Sequence, residues 1–118
     1  MGVDLTLLPQ SWRDADGCIH AHSALSMSRD HGLWEAIEES GIELELTRPT
    51  TCHFARTKSG KACFGEVSEN PYGSPLTWCF AGQLYDVLSA SGLDGDNVWV
   101  AAALKAMNPS KVIVLYWH

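Results

Sequence analysis

The amino-acid sequence predicts an α+β fold in a single globular domain, residues 1–118, with a mostly antiparallel sheet of about five strands and about three packed helices. Segments of strand period and segments of helical period both occur, but they lack the regular strand–helix–strand order of a parallel sheet. The 118 residues are 46% hydrophobic and 19% charged, which is typical of one globular domain. We find neither an internal repeat nor a linker that would divide the chain.

The first third of the chain predicts a strand, a loop and a helix. Leu5 and Leu7 alternate with polar residues, which is the period of a strand with one buried face. The polar segment 11–17 predicts a loop, and the segment 18–27 follows as an extended stretch. Over 28–40, a serine cap, inward apolar residues and a glycine beyond the end predict a helix.

The middle of the chain predicts strands that are separated by turns. Aliphatic residues alternate with polar ones over 42–47, and the outer face of this strand is acidic. The turn-forming sequence at 56–60 predicts a hairpin in which the flanks 51–55 and 61–67 pair antiparallel. The segment 70–75, Asn-Pro-Tyr-Gly-Ser-Pro, predicts a loop.

The C-terminal part predicts two helices and a buried strand. After a short apolar stretch at 76–80, apolar residues recur at helical spacing over 81–91 and again over 97–107. Pro109 stops the second helix. The run 112–117 is continuously apolar and β-rich, without alternation, so it predicts a central strand that is covered on both faces.

The charge balance restricts the classes of partner. The chain has 14 acidic and 8 basic residues, a net charge of -6, and no basic cluster. This disfavours direct binding to nucleic acid and favours a basic surface on a host protein or nucleoprotein complex. Neither a membrane-spanning apolar run nor a secretion signal is evident, so the sequence predicts a cytoplasmic protein with reduced thiols.

The segment Cys18-Ile19-His20-Ala21-His22 is the sharpest local pattern. On an extended backbone its alternate residues share one face, so Cys18, His20 and His22 converge as a thiol and two imidazoles. These are ligand types for zinc. The spacing matches no strong metal motif. In the alternative interpretation, Cys18 is a small core residue and the histidines lie on the surface. A cofactor is therefore not required. The candidates for a fourth ligand are Cys52, His53 and Cys63, and an open fourth position would make the site one of the catalytic kind.

Catalytic residues are not evident in the sequence. Cys52 and His53 are adjacent on a predicted strand, where neighbouring side chains point to opposite faces, so they do not form a nucleophile and base pair. Phosphate-binding glycine loops are also missing. An enzymatic activity is therefore less expected than a binding role.

Acidic residues of the predicted helix 28–40 and strand 42–47 suggest an interaction surface. The alternative is an ordinary solvated surface. Trp12 and Trp78 lie beside predicted loops and are candidate exposed anchors. Three other tryptophans are expected in the core: Trp34, Trp99 and Trp117. We name the acidic residues the acidic patch: Glu35, Glu38, Glu39, Glu43 and Glu45.

Three sequence blocks carry a resemblance to known proteins: GVDLTLLP at 2–9, NPYGSPL at 70–76 with AGQL at 81–84, and VIVLYWH at 112–118. With these blocks the chain resembles small uncharacterised proteins of tailed phages and prophages. Small acidic phage proteins are often accessory factors that disable a host machine, as anti-CRISPR proteins do. The resemblance therefore implies a phage-derived protein that inhibits a bacterial defence complex by steric occlusion through the acidic patch.

Two other functions are left open by the sequence. The Cys18 segment is compatible with a Cys/His metal-binding domain or a hydrolase. The size of the chain is compatible with an oligomeric phage structural protein or with one that sequesters a small ligand. Metal content would distinguish the first alternative, and oligomeric mass the second.

Overall fold

The fold is described from a computed structural model. The structure describes residues 4–27, 35, 50–58, 61–90 and 97–118. Within these ranges, side chains are described at all positions except 56–58 and 61–64.

The described residues form eight strands and two helices. In chain order the elements are β1 (Leu5–Pro9), β2 (Trp12–Arg13), β3 (Ile19–His20), β4 (Leu25–Ser26), β5 (Cys52–Lys58), β6 (Lys61–Val67), β7 (Thr77–Phe80), α1 (Ala81–Ala90), α2 (Asn97–Ala106) and β8 (Val112–Trp117).

The strands pair into two sheets of four. The first sheet has the order β4-β1-β8-β7, and all of its pairs are antiparallel. The second sheet has the order β2-β3-β5-β6, in which only β3 and β5 run parallel. The predicted α+β class and the mostly antiparallel pairing are confirmed.

The first sheet forms the middle layer of the fold. On one face, Leu7, Ile113 and Leu115 are fully buried in a cluster with the apolar sides of α1 and α2. On the other face, Leu8 and Val114 pack in a second cluster against the second sheet. Because β8 lies between β1 and β7 and contributes to both clusters, it is the central, doubly covered strand that the sequence predicts.

The helices α1 and α2 bury the apolar stripes expected from their periodicity. Leu84 and Leu88 of α1 are fully buried, and Leu104 of α2 is nearly so. Within the described residues, neither helix has the length and apolarity needed to cross a membrane. The prediction that Trp99 lies in the core is wrong, because it is 76% exposed on the outer side of α2.

The start of α1 shows why this helix begins where it does. The Gln83 side chain accepts a hydrogen bond from the backbone N–H of Phe80 at 3.2 Å, which satisfies one of the free donors at the helix start. The backbone N–H of Gly82 donates to the Pro109 carbonyl at 3.0 Å. A Cβ at position 82 would lie 3.0 Å from the Pro109 Cβ, so glycine permits this close approach.

Within the described residues, the eight strands and two helices differ from the five strands and three helices predicted for the whole chain. Three of the eight strands have two residues each, which is too short to give a periodic signal, and the strands divide between two sheets instead of one. The predicted hairpin is confirmed, since β5 and β6 pair from Cys52↔Val67 to Lys58↔Lys61. The predicted helix 28–40 and strand 42–47 lie outside the described residues, apart from Glu35, which is helical and exposed.

Candidate metal centre

A five-residue loop, 14–18, joins β2 to β3 and carries two of the site residues. The Asp14 carboxylate oxygen Oδ1 accepts hydrogen bonds from the backbone N–H groups of Asp16 at 2.9 Å and Cys18 at 3.1 Å. Gly17 donates its N–H to the Asp14 carbonyl at 3.0 Å, with a φ of 86° that glycine adopts without strain. The aspartate therefore organises the loop around its own side chain.

The loop brings three potential metal ligands together. One ligand atom from each of Asp14, Cys18 and His20 lies within 4.8 Å of the other two. The closest pair is His20 Nε2 and Asp14 Oδ2, which are 2.9 Å apart. Cys18 is only 2% exposed, and its thiol donates a long hydrogen bond of 3.7 Å to the Ile19 carbonyl. We name these three residues the Asp14 cluster.

Aromatic rings flank the cluster on the second sheet. Trp12, His20, His53 and Glu66 occupy one register across the four strands. The Trp12 and His20 rings stack with centroids 3.9 Å apart and planes 14° apart, and the His20 and His53 centroids are 5.0 Å apart. This stacking holds the His20 imidazole in a fixed orientation beside Asp14.

The electrostatics of the cluster differ between its carboxyl and its thiol. The hydrogen bond from His20 lowers the pKa of Asp14, aided by the backbone N–H groups of Cys18 and Asp16. Burial is the largest effect and raises the pKa of the Cys18 thiol; Thr51 lowers it, and Glu66 and Asp14 raise it by smaller amounts. At neutral pH, Asp14 is therefore ionised and Cys18 is a neutral thiol.

Only part of the predicted ligand set is brought together. Cys18 and His20 belong to the Asp14 cluster, whereas His22 is exposed and outside it, with its backbone N–H bonded to Ser11 Oγ at 3.3 Å. Of the expected fourth ligands, His53 stacks near His20, with ring centroids 5.0 Å apart. Cys52 is fully buried between the sheets, where burial raises its pKa to about 12. The Cys63 side chain lies outside the described part of the chain.

Asp14 is the member of the cluster that sequence reasoning missed. Its side chain reaches His20 because β2 and β3 pair as Arg13↔Ile19, which folds the loop back over the strand. The sequence shows a polar loop with a glycine at this position, but the register of two-residue strands is not encoded in any periodic pattern. The Asp14-x-Asp16-Gly17 turn was the signal that could have suggested a side chain folded back on its loop.

A cleft of about 270 Å³ borders the same loop. Arg13, Asp16 and Gly17 line one side of it, and Thr51 lines another. Because Asp16 and Gly17 belong to the loop that carries Asp14 and Cys18, the cleft adjoins the Asp14 cluster. A small molecule or ion in the cleft would be next to the buried thiol.

The acidic patch and the tryptophan anchors receive only limited description. Glu35 is exposed on a helix, whereas the other four acids lie outside the described residues: Glu38, Glu39, Glu43 and Glu45. Trp12 is 48% exposed. Trp78 is half-buried and packs against both core clusters, so it presents less surface than the sequence suggests. The acidic patch as a docking surface therefore stays a prediction.

Comparison of the chain with protein-family models, with curated proteins and with solved structures finds no match. The resemblance to phage proteins therefore stays a prediction from the sequence. The geometry of the described residues is the remaining basis for assigning a function.

Proposed function

We propose that the protein binds a divalent transition-metal ion, Zn²⁺ before others, through Asp14, Cys18 and His20. The observation that carries this proposal is the convergence of a carboxylate, a thiol and an imidazole within 4.8 Å of one another. These are three of the donor types that zinc accepts in proteins. The proposal modifies the metal site expected from the sequence by replacing His22 with Asp14.

The distances in the cluster are compatible with such an ion. Metal–ligand bonds of about 2.0–2.3 Å in a tetrahedral site place the ligand atoms about 3.5 Å apart. Separations of up to 4.8 Å would therefore contract by at most about 1.3 Å, and the 2.9 Å separation of His20 and Asp14 would widen by about 0.6 Å. Between His20 Nε2 and Asp14 Oδ2, 2.9 Å apart, the ion would take the place of the shared proton.

The surroundings of the cluster support a preorganised site. The Trp12 ring fixes the His20 imidazole by stacking, and two backbone N–H groups fix the Asp14 carboxylate. Such outer contacts hold metal ligands in place and contribute to affinity. Glu66, which shares the register of His20 and His53 on the second sheet, helps to raise the pKa of the Cys18 thiol. Three protein ligands leave a fourth coordination position for water or a substrate.

A thiol nucleophile is a weaker explanation of the same cluster. A reactive cysteine needs a cationic setting that favours the thiolate, but burial and the Glu66 carboxylate act against ionisation of Cys18. A divalent cation reverses this effect, because it favours the thiolate and is itself attracted by the neighbouring carboxylates. The cluster is therefore better suited to holding a metal than to attacking a substrate.

Metal analysis of purified protein tests the proposal. We expect elemental mass spectrometry to detect one zinc ion per chain after any affinity tag has been removed. Replacement of zinc by Co²⁺ should give the near-ultraviolet absorption of a thiolate–cobalt bond. Cys18→Ser should abolish that band, and Asp14→Asn and His20→Asn should each weaken metal binding by about tenfold or more.

His22→Asn is the matched control for these variants, because His22 lies on the same segment but outside the cluster. It should retain the metal affinity of the wild type. A wild-type protein that binds neither zinc nor cobalt at micromolar concentrations would refute the proposal. Equal losses in His22→Asn and His20→Asn would instead favour the ligand set Cys18, His20 and His22.

A further inference from the structure

A second cavity, of about 430 Å³, opens at the edge of the fold between the two sheets. Leu8 and Tyr116 of the first sheet form one wall, and Phe54 of the second sheet forms the other. Pro71 closes the cavity from the loop 70–75. Its volume lies within the range of about 300–1,000 Å³ that is usual for small-molecule sites.

Three of the nine described lining residues carry aromatic rings: Phe54, which is only 3% exposed, Tyr116 and His118. Phe54 contacts Tyr116 edge to face, with ring centroids 5.1 Å apart and planes 66° apart. The Tyr116 ring in turn stacks with the His118 ring, with centroids 5.2 Å apart and planes 21° apart. Rings arranged in this way offer stacking and edge contacts to another flat ring.

A small number of polar groups accompany the rings. Thr6 Oγ1 and His118 Nε2 are 2.8 Å apart, so the hydroxyl and the imidazole fix each other at the cavity wall. The backbone also holds His118 in place, because its N–H and carbonyl both bond with Asp4, at 2.9 and 2.7 Å. Ser26, which pairs with Thr6 across β4 and β1, adds another hydroxyl.

The charge of the lining indicates the charge of a ligand. The described lining residues include no Lys, Arg, Asp or Glu. A charged group that entered the cavity would lose hydration without gaining an opposite charge, which is unfavourable. The cavity therefore favours an uncharged ligand with hydrogen-bonding atoms at its rim.

We infer that this cavity, the aromatic cavity, binds a small, uncharged, planar heteroaromatic molecule. The ring of the ligand packs among Phe54, Tyr116 and Pro71, and its polar edge bonds with the hydroxyls and the imidazole. This site lies apart from the Asp14 cluster and requires no metal. Its occupancy is consequently independent of the proposed metal function.

Nuclear magnetic resonance titration of the complete protein with indole tests the inference. Indole is uncharged and flat and has one N–H donor, and cyclohexanol serves as the non-planar probe. We expect saturable shifts of the backbone amide signals of Thr6, Ala55 and Tyr116 with indole at millimolar concentrations, and much smaller shifts with cyclohexanol.

Tyr116→Leu should weaken indole binding by about tenfold, because it removes the aromatic ring at the centre of the wall. Thr6→Val preserves the side-chain shape, leaves the fold intact, and should weaken binding by about threefold to tenfold through loss of the hydroxyl. Tyr72→Leu, on the exposed loop, is the matched control and should bind as the wild type does.

Three results would overturn the inference: no saturable shifts with indole, equal shifts with cyclohexanol, or unchanged affinity in both Thr6→Val and Tyr116→Leu. Addition of zinc should leave the indole affinity unchanged. Failure of metal binding and failure of indole binding are therefore distinguishable.

Discussion

Gly17 provides the sharpest test of how the loop 14–18 is built. Its φ of 86° lies in the left-handed region, and an added Cβ would meet no atom within 4 Å. Substitution by alanine therefore introduces backbone strain without a steric clash. The left-handed conformation costs about 1–2 kcal/mol for a residue with a Cβ. The reduced freedom of the unfolded chain offsets about 0.4–1 kcal/mol of this.

Gly17→Ala is therefore expected to lower the free energy of unfolding by about 1 kcal/mol. In a chain of this size the thermal midpoint should fall by about 5 °C. The thermal midpoint of Gly17→Asn should fall less than that of Gly17→Ala, because asparagine tolerates the left-handed conformation. Calorimetry of metal-free protein measures these differences.

Gly65→Ala is the matched control, since Gly65 also has open space around its Cβ position but has no positive φ. It should be neutral or raise the stability by about 0.5 kcal/mol. Equal midpoints for Gly17→Ala and Gly65→Ala would refute the left-handed geometry of the loop. The zinc affinity of Gly17→Ala should also fall, because the same turn sets the positions of Asp14 and Cys18.

Three further predictions concern the core, the surface and the pH dependence. Leu115→Ala should lower the free energy of unfolding by about 2–5 kcal/mol in urea denaturation, because Leu115 is fully buried; a loss below 1 kcal/mol would contradict its central position. Trp99→Ala should change stability by less than about 0.5 kcal/mol in the same assay, since its side chain is 76% exposed, and a core-sized loss would contradict this. Burial raises the pKa of the Cys79 thiol from 9.0 to about 12. Because the Cys79 thiol ionises at a lower pH in the unfolded chain than in the folded protein, the wild type should lose stability as the pH rises above about 9. The free energy of unfolding of Cys79→Ala should fall by about 1.4 kcal/mol less per pH unit than that of the wild type. Parallel plots of stability against pH for the two proteins would refute the raised pKa of Cys79.

Long periodic segments made most of the fold predictable. The stripes of α1 and α2 and the continuous apolar run of β8 correspond to burial against one or two neighbouring layers. The turn sequence at 56–60 predicted the pairing of β5 with β6. In each case the local pattern and the final packing impose the same requirement on the side chains.

The division into two sheets was not predictable by the same means. It depends on β2, β3 and β4, whose two residues each cannot display a period. The parallel pairing of β3 with β5 joins Ile19 to Cys52 across more than thirty residues of chain. Such a long-range register follows from tertiary packing, which a single sequence does not display.

The same limit applies to the metal site. Alternation was expected to place Cys18, His20 and His22 on one face, but β3 spans only Ile19–His20, so Cys18 lies in the preceding loop and His22 lies beyond the strand. Asp14 reaches the site through a loop whose hydrogen bonds return it to the strand. A ligand contributed by loop closure is therefore less visible in the sequence than ligands contributed by alternation.

The strand β5 links the two sites that we propose. His53 faces outward and stacks near His20, whereas the next residue, Phe54, faces inward and contacts Tyr116 at the aromatic cavity. Because adjacent strand residues point to opposite faces, β5 places His53 beside the Asp14 cluster on one face and Phe54 at the aromatic cavity on the other. A slip of one residue in the pairing of β5 would exchange the two side chains, which would remove the His53 ring from beside His20 and the Phe54 ring from the aromatic cavity. The register His20↔His53 therefore determines both the aromatic cavity and the stacking beside the Asp14 cluster, whereas the cluster itself depends on the pairing of β2 with β3.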